Sequence, residues 1–208
     1  MIPYYMGYIY YFLENNPAQS ARYYKIASAH SDGTPEFART MYAIMSGKSG
    51  DREKSAYLFL SLALGDDPSS ECSQAVNEIK MLLGRYSFGE LTKNAAYLKA
   101  LNESFQVIAK NTLEKQGQST TEENITSNTC LSSLGKVVRE HNLAYIETGD
   151  KTYKEQYGTS AKNAQILKDA GFIDYLPRDF QRNGSDNFEV IYFYNDKTKS
   201  WDYRRGAY

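Results

Sequence analysis

Two cysteines and two histidines are the residues of this sequence best suited to covalent or acid–base chemistry. A cysteine nucleophile needs a base, and Cys130 with His141 is the pair that would supply a thiolate and an imidazole. That alternative predicts a thiol-dependent reaction. The chain has no HExxH, GxSxG, CxxC, Walker or GxGxxG motif to hold such groups together, so we expect neither an enzymatic activity nor a cofactor.

The individual histidines and cysteines have simpler interpretations. His30 follows a predicted helix, where an exposed imidazole near carbonyl groups is ordinary, and His141 is expected on the solvated side of its own helix. The separation of Cys72 from Cys130 fits no zinc site, so we expect no metal. The two thiols could pair in an oxidising compartment, but buried free cysteines are the commoner outcome.

Two pairs of adjacent carboxylates and one Gly-Lys-Ser sequence suggest chemistry without supporting it. Asp66 and Asp67, like Glu122 and Glu123, lie in predicted loops, where neighbouring side chains are not held on opposite sides of a substrate. Residues 47–49 (GKS) follow a helix and lack the upstream glycine of a phosphate-binding loop. We interpret all of them as solvated turns.

The composition argues against nucleic acid and lipid as partners. The 208 residues carry 24 basic and 25 acidic side chains, which leaves no positive excess to bind a phosphate backbone. No stretch approaches the roughly 20 apolar residues of a membrane-spanning helix. The chain contains 19 tyrosines, and six of its first twelve residues are Tyr or Phe. Tyrosines at this density either form a binding surface or fill a helical core.

The amino-terminal part of the chain contains an internal repeat. Residues 50–56 (GDREKSA) predict a turn that opens a helix with small residues on one face. The region before them has the same form, because Pro35 and Pro68 are 33 residues apart and Ala21 and Ala56 are 35 residues apart. Small residues at a fixed period let paired helices pack closely and let each pair cover the next.

These features resemble the tetratricopeptide repeat, a helix–turn–helix unit of about 34 residues. The resemblance covers residues 3–68, with a degenerate third unit to residue 115. It is carried by Gly7, Tyr10, Ala21, Pro35, Ala43, Ala56, Leu60, Ala63 and Pro68. In such solenoids the first helix of each pair lines a concave groove that binds a segment of another protein. The resemblance therefore implies partner-binding positions at Tyr4, Tyr8, Tyr11, Thr40, Ile44 and Lys48.

Tyr4, Tyr8 and Tyr11 are spaced four and three residues apart, so they share one face of the predicted first helix. Exposed together, they would form an aromatic strip suited to protein contacts. In the alternative interpretation, an upstream repeat or the carboxy-terminal part of the chain covers them.

The middle of the chain predicts further helices and then a linker. Residues 69–83 carry a cap and an acidic first turn, and residues 88–115 carry an apolar stripe for one long helix or two. Residues 116–128 are polar and almost free of apolar side chains, which is typical of a linker. The predicted organisation is an α-helical solenoid at 1–115, a polar linker at 116–128 and an α+β module at 129–208.

The carboxy-terminal module predicts two helices, an extended segment and a β-hairpin. The first helix starts near Cys130 and ends near Gly149; the second covers residues 160–170 and stops at Gly171. Residues 172–177 are expected to be extended. The β-prone residues 188–194 and 200–203 flank a turn.

A helix, the Gly-aromatic-aliphatic run at 171–173, the Leu-Pro-x-Asp run at 176–179 and a terminal hairpin resemble the soluble domain of bacterial pseudopilins and minor pilins, over residues 130–205. This resemblance implies a bacterial source. It also supplies an alternative function, in which the chain is a structural or assembly component of a pilus or secretion apparatus and self-associates.

The chain is therefore predicted to be mainly α, with a non-enzymatic scaffold function in which the groove holds a protein or peptide partner. Its opening residues lack the basic start and apolar run of a signal peptide. The expected location is the cell envelope or periplasm if an upstream signal or anchor precedes this sequence, and the cytoplasm otherwise.

Overall fold

The computed structural model describes residues 2–30, 35–65, 70–85, 87–177 and 190–205. Within these ranges the protein is mainly helical, with ten α-helices and one two-stranded antiparallel sheet. The elements are α1 (Ile2–Phe12), α2 (Pro17–Ser28), α3 (Pro35–Lys48), α4 (Arg52–Leu64), α5 (Ser70–Gly84), α6 (Phe88–Leu91), α7 (Ala95–Lys115), α8 (Glu122–Ser127), α9 (Thr129–Tyr157), α10 (Ala164–Asp169), β1 (Val190–Asn195) and β2 (Ser200–Arg205). Asp66, Asp67, Pro68, Arg178 and Asp179 lie outside the described residues.

The first four helices pack on one another in chain order. In each of the pairs α1–α2 and α3–α4, a serine hydroxyl of the second helix donates to the carbonyl of a small residue in the first. The Ser20 hydroxyl of α2 donates to the Gly7 carbonyl of α1 at 2.7 Å. The Ser55 hydroxyl of α4 donates to the Ala43 carbonyl of α3 at 2.8 Å. The same bond therefore joins both helix pairs. Small residues at these crossings let the backbones come close enough to form it.

The long helix α9 packs on α4 at the side of this stack. It also contacts strand β2 near the carboxy terminus. Leu134 and Val137 of α9 share one hydrophobic core with Phe59 of α4 and Leu101 of α7. Helix α8, inside the predicted linker, buries Ile125 in the same core. Residues 122–127, within the predicted linker, are thus helical and packed on this core, because one apolar side chain anchors a polar segment. The division into domains stays a prediction.

Helix α9 continues beyond Gly149, so the expected end of the helix there is wrong. Gly149 is buried, and a Cβ atom at this position would collide with Ile173 Cγ2 and lie 2.9 Å from the Phe172 carbonyl oxygen. The glycine allows the segment after α10 to cross the helix. The helix ends at Gly158, whose φ of 75° is left-handed.

Other boundaries differ by a few residues for local reasons. Residues 88–115 form two helices, α6 and α7. Asn94 is the N-cap of α7, because its side chain accepts a hydrogen bond from the Ala96 amide. Helix α10 begins at Ala164 since Asn163 caps it, and Gly171 follows it with φ 77°. Residues 172–177 contain bends at 172, 174 and 175 and form no strand.

The predicted β-hairpin is confirmed, with Tyr194 paired to Trp201 and Asn195 to Ser200. Its strands pack on the second half of α9. The Trp201 indole donates to Asp150 at 3.0 Å, and the Asn142 amide donates to the Tyr192 hydroxyl at 2.9 Å. These buried polar contacts fix the hairpin to one position on the helix.

Within the described ranges, no helix has the length and apolar character needed to cross a membrane.

Candidate protein-binding surface

The outer side of α1 is an exposed apolar surface without a single charged residue. Five of its large side chains, together with the residue that follows the helix, are exposed to between 37% and 78%. They are Ile2, Tyr5, Tyr8, Ile9, Phe12 and Leu13. We call this set the α1 surface. Isolated exposed apolar side chains are ordinary, but a continuous row on one helix marks an interaction site.

The inner side of α1 is also apolar and holds the helix in place. Gly7 faces the ring of Tyr24, leaving no room for a Cβ atom without a shift of that ring. Tyr10 stacks on Tyr23 with centroids 5.2 Å apart. Tyr4 meets Tyr24 edge-on at 5.7 Å. Because these contacts already bury one side of α1, the packing of α1 against α2 does not require the apolar residues of the α1 surface.

The three predicted tyrosines lie along the border between the two sides of α1. Tyr8 is exposed and its ring lies 4.4 Å from that of Phe12. Tyr4 is half-buried between Tyr24 and Phe37, and Tyr11 is half-buried with the Lys48 ammonium 5.7 Å from its ring. The exposed face of α1 is therefore rotated about the helix axis relative to the predicted face, and it includes Tyr5, Ile9 and Phe12. The missed signal is the lack of charge in α1, which leaves it no polar side.

The three predicted α3 positions have different surroundings. Thr40 is half-buried, and its hydroxyl donates to the Glu36 carbonyl of its own helix at 3.1 Å. Ile44 packs between the core shared by α4 and α9 and the smaller core of α1–α3. Lys48 lies against Tyr11 on one side and forms a 3.1 Å ion pair with Asp202 of β2 on the other.

Ile44 and Lys48 line a cavity of about 240 Å³ between α3, α4, α9 and β2. Its other walls are Arg52, Phe59, Lys136, Arg139, Glu140, Leu143, Trp201, Asp202 and Tyr203. Most of these residues come from α9 and the hairpin, which sequence reasoning placed in a separate module. The predicted groove positions on α3 are therefore partly covered by the carboxy-terminal part of the same chain.

Buried charges close the inner end of this cavity. Arg52 donates to Glu140 at 3.1 Å, to Glu147 at 2.6 Å and to the Trp201 carbonyl at 3.2 Å. Burial disfavours the charged guanidinium, but the two carboxylates outweigh it and raise the pKa of Arg52. Gly47 of α3 leaves room for Glu140, because a Cβ atom would lie 2.7 Å from its carboxylate.

The ion pair at the cavity's edge connects it to α1. Burial works against the charged form of Lys48, yet the Asp202 carboxylate and the Tyr11 hydroxyl raise the pKa of this lysine. The Asn15 amide, just after α1, donates to the Lys197 carbonyl in the hairpin turn at 3.2 Å. The hairpin thus reaches from α9 across α3 to the end of α1.

Two further cations of α9 lie in the cavity wall. The Lys136 ammonium is 5.2 Å from the Phe59 ring centroid, and the Arg139 guanidinium is 4.0 Å from that of Tyr203. Burial, and then the charge of Arg139, lower the pKa of Lys136. The burial of the Lys136 ammonium therefore costs free energy, and no carboxylate among the described residues lies close enough to offset this cost.

The cysteines and His141 do not form a catalytic pair. Cys72 of α5 is disulfide-bonded to Cys130 at the start of α9, so the expectation of free thiols is wrong. His141 is 1% exposed, with its ring 4.4 Å from Phe88, so the expected solvated position is also wrong. Burial lowers the pKa of His141 from 6.5 to about 4. His30 is exposed just after α2.

Comparison with known proteins adds no relative: no family model, curated protein or solved structure matches this chain. Among the described residues, no group of histidine, cysteine and acidic side chains is arranged to hold a metal ion.

Proposed function

We propose that this protein is a non-enzymatic interaction scaffold, a helix-pair solenoid of tetratricopeptide type, that binds a segment of a partner protein on the α1 surface. The observation that carries the proposal is the uncharged row of exposed aromatic and aliphatic side chains on α1. Tyrosine and phenylalanine contribute large contact areas with little loss of side-chain freedom. A partner segment would bury this row.

The repeat is supported by the matching contacts of the two helix pairs. The bond from Ser20 to Gly7 has its counterpart in the bond from Ser55 to Ala43. The stacking of α1 to α4 in chain order is what a solenoid of helix pairs produces, whereas the position next to α4 is taken mainly by α9 and not by α5.

The hairpin favours α1 over the inner groove as the main contact. The contacts of Asn15 with Lys197 and of Lys48 with Asp202 tie the hairpin across one end of the first helices. A partner segment would therefore approach from the open side, over Tyr8 and Phe12, and reach the hairpin only at its far end.

The disulfide supports a location for this function. Disulfides persist in oxidising compartments and are rare in the cytosol. The Cys72–Cys130 bond, with the likeness of the carboxy-terminal region to bacterial pilin domains, favours the bacterial cell envelope as the place where the scaffold works.

The test is selection from a random peptide library displayed on phage, with the full chain as bait. We expect peptides with aromatic and aliphatic residues to be enriched. Enrichment should be lost with a Tyr8→Ser/Phe12→Ser bait, because these two exposed rings contact each other on the α1 surface. The matched control is Tyr57→Ser/Val107→Ser, which removes two apolar side chains of α4 and α7 that are at least as exposed as Tyr8 and Phe12.

Three outcomes decide the proposal. Loss with the α1 variant alone supports it. Equal enrichment on all baits would show that binding occurs elsewhere and would overturn the α1 surface. Selection of no peptide by a folded chain would contradict the scaffold function, and growth of the chain into filaments in the same samples would favour the structural alternative.

A further inference from the structure

We propose that the cavity between α3, α4, α9 and β2 binds one carboxylate of the partner segment, with Lys136 as the cation that receives it. The inference rests on the proposed function, since it names the chemistry of the segment that the α1 surface would hold. It assigns a binding role to α9, a helix outside the predicted repeat.

The cavity wall contains four cations, Lys48, Arg52, Lys136 and Arg139, and Arg139 lies against the Tyr203 ring. Lys48 is matched by Asp202 at 3.1 Å, and Arg52 is matched by Glu140 and Glu147. Lys136 has no carboxylate within ion-pair distance among the described residues, and its ammonium lies against the Phe59 ring. A half-buried lysine in this position gains from a carboxylate that reaches it, because the attraction between the two charges is stronger in a partly desolvated site than in water and offsets the cost of burying the ammonium.

The cavity suits the end of an amino-acid side chain. Its volume of about 240 Å³ accommodates a carboxylate with its methylene stem. Ile44, Phe59 and Leu143 supply apolar walls for the stem. Asp202 and Glu140 lie in the same wall, where they are paired with Lys48 and Arg52.

Tyr11 and Lys48 connect the edge of the cavity to the α1 surface. Tyr11 borders that surface and contacts Lys48, and Lys48 with Ile44 lines the cavity. A segment lying over Tyr8 and Phe12 can therefore place an acidic residue beyond Tyr11. The expected partner sequence has aromatic or aliphatic residues followed or preceded by one Asp or Glu at a fixed spacing.

The test starts from the peptides selected on the full chain. We expect an Asp or Glu at a constant distance from the apolar positions. One such peptide and its Glu→Gln form (or Asp→Asn) are then titrated by fluorescence anisotropy against the wild type and Lys136→Met. Methionine keeps the stem against Phe59 and removes the charge. The matched control is Lys110→Met, which removes an exposed lysine of α7 that pairs with Glu114 on the same helix.

For the wild type and Lys110→Met, loss of the peptide carboxylate should weaken binding about tenfold. For Lys136→Met, the two peptides should bind equally. An unchanged effect of the carboxylate in Lys136→Met would overturn the proposal. Selected peptides that need the α1 surface but contain no conserved acid would also overturn it while leaving the proposed function intact, whereas peptides indifferent to the α1 variant would contradict the proposed function itself.

Discussion

At the scale of single residues, the burial of His141 changes both its protonation and the role it can have. By sequence it lies in a polar stretch of a helix, yet α6 brings Phe88 over it and leaves its Nδ1 without a partner among the described residues. The residue that could have been a catalytic base is instead held neutral. No local pattern announces this, because the covering residue comes from a four-residue helix more than fifty positions earlier in the chain.

The burial of His141 predicts a loss of stability in mild acid. The unfolded chain binds a proton near the ordinary pKa of 6.5, whereas the folded chain binds it only near 4. Stability due to this group is therefore complete above pH 6.5, falls as the pH drops towards 4, and falls no further below that. Between pH 7 and pH 5 we expect the free energy of unfolding to decrease by about 2 kcal/mol.

Urea unfolding at the two pH values measures this loss, with His141→Phe as the control. Phenylalanine fills the site beside Phe88 and does not titrate. The difference between the wild type and this variant isolates the histidine from the carboxylates, and an equal fall in both proteins would show that His141 is not the group responsible.

At the scale of elements, helix α9 differs most from its sequence pattern. Its first half carries the expected apolar stripe, and the Asn128 side chain, from the end of the predicted linker, caps its start by accepting from the Leu131 amide. Gly149 reads as a stop because glycine commonly ends helices, but here it serves a close crossing by residues 172–173. The hairpin was predictable since its turn chemistry is local. The route of the chain over α9 was not.

Two glycine substitutions separate these roles. Gly149→Ala should lower the free energy of unfolding by about 1–3 kcal/mol, because the new methyl group meets Ile173 and the Phe172 carbonyl. Gly84→Ala should leave it unchanged or raise it by up to about 1 kcal/mol, since nothing lies within 4 Å of the added atom and alanine favours the helix. Thermal unfolding followed by circular dichroism distinguishes them, and stabilisation by both would mean that α9 is not crossed at Gly149.

At the scale of the whole molecule, helix α9 connects the helices of the amino-terminal half to the carboxy-terminal hairpin. The disulfide ties α5 to its beginning, and the Arg52 network ties α4 to its middle and to the hairpin. The close packing of α1 on α2 and of α3 on α4 could be predicted from the small residues at their crossings. The docking of α9 on α4 could not, because it depends on contacts between residues some eighty positions apart. For the same reason, the cavity with Lys136 was invisible in a sequence read segment by segment.

The disulfide predicts a redox-dependent stability. Its 58-residue separation constrains the unfolded chain, so reduction should lower the free energy of unfolding by about 2–4 kcal/mol. Denaturant titration with and without dithiothreitol measures this difference. The Cys72→Ala/Cys130→Ala variant should match the reduced wild type and should not respond to the reductant. A wild type that is equally stable in both states would show that the link does not hold the two regions together.

The central claim is that the α1 surface binds a partner segment, and its most direct measurement is the dissociation constant of one selected peptide for the wild type and for Tyr8→Ser/Phe12→Ser. Each aromatic side chain at the centre of a contact contributes about 1–2 kcal/mol, so the variant should bind at least about tenfold more weakly. Tyr57→Ser/Val107→Ser should bind like the wild type. The same dissociation constant for all three proteins would contradict the account.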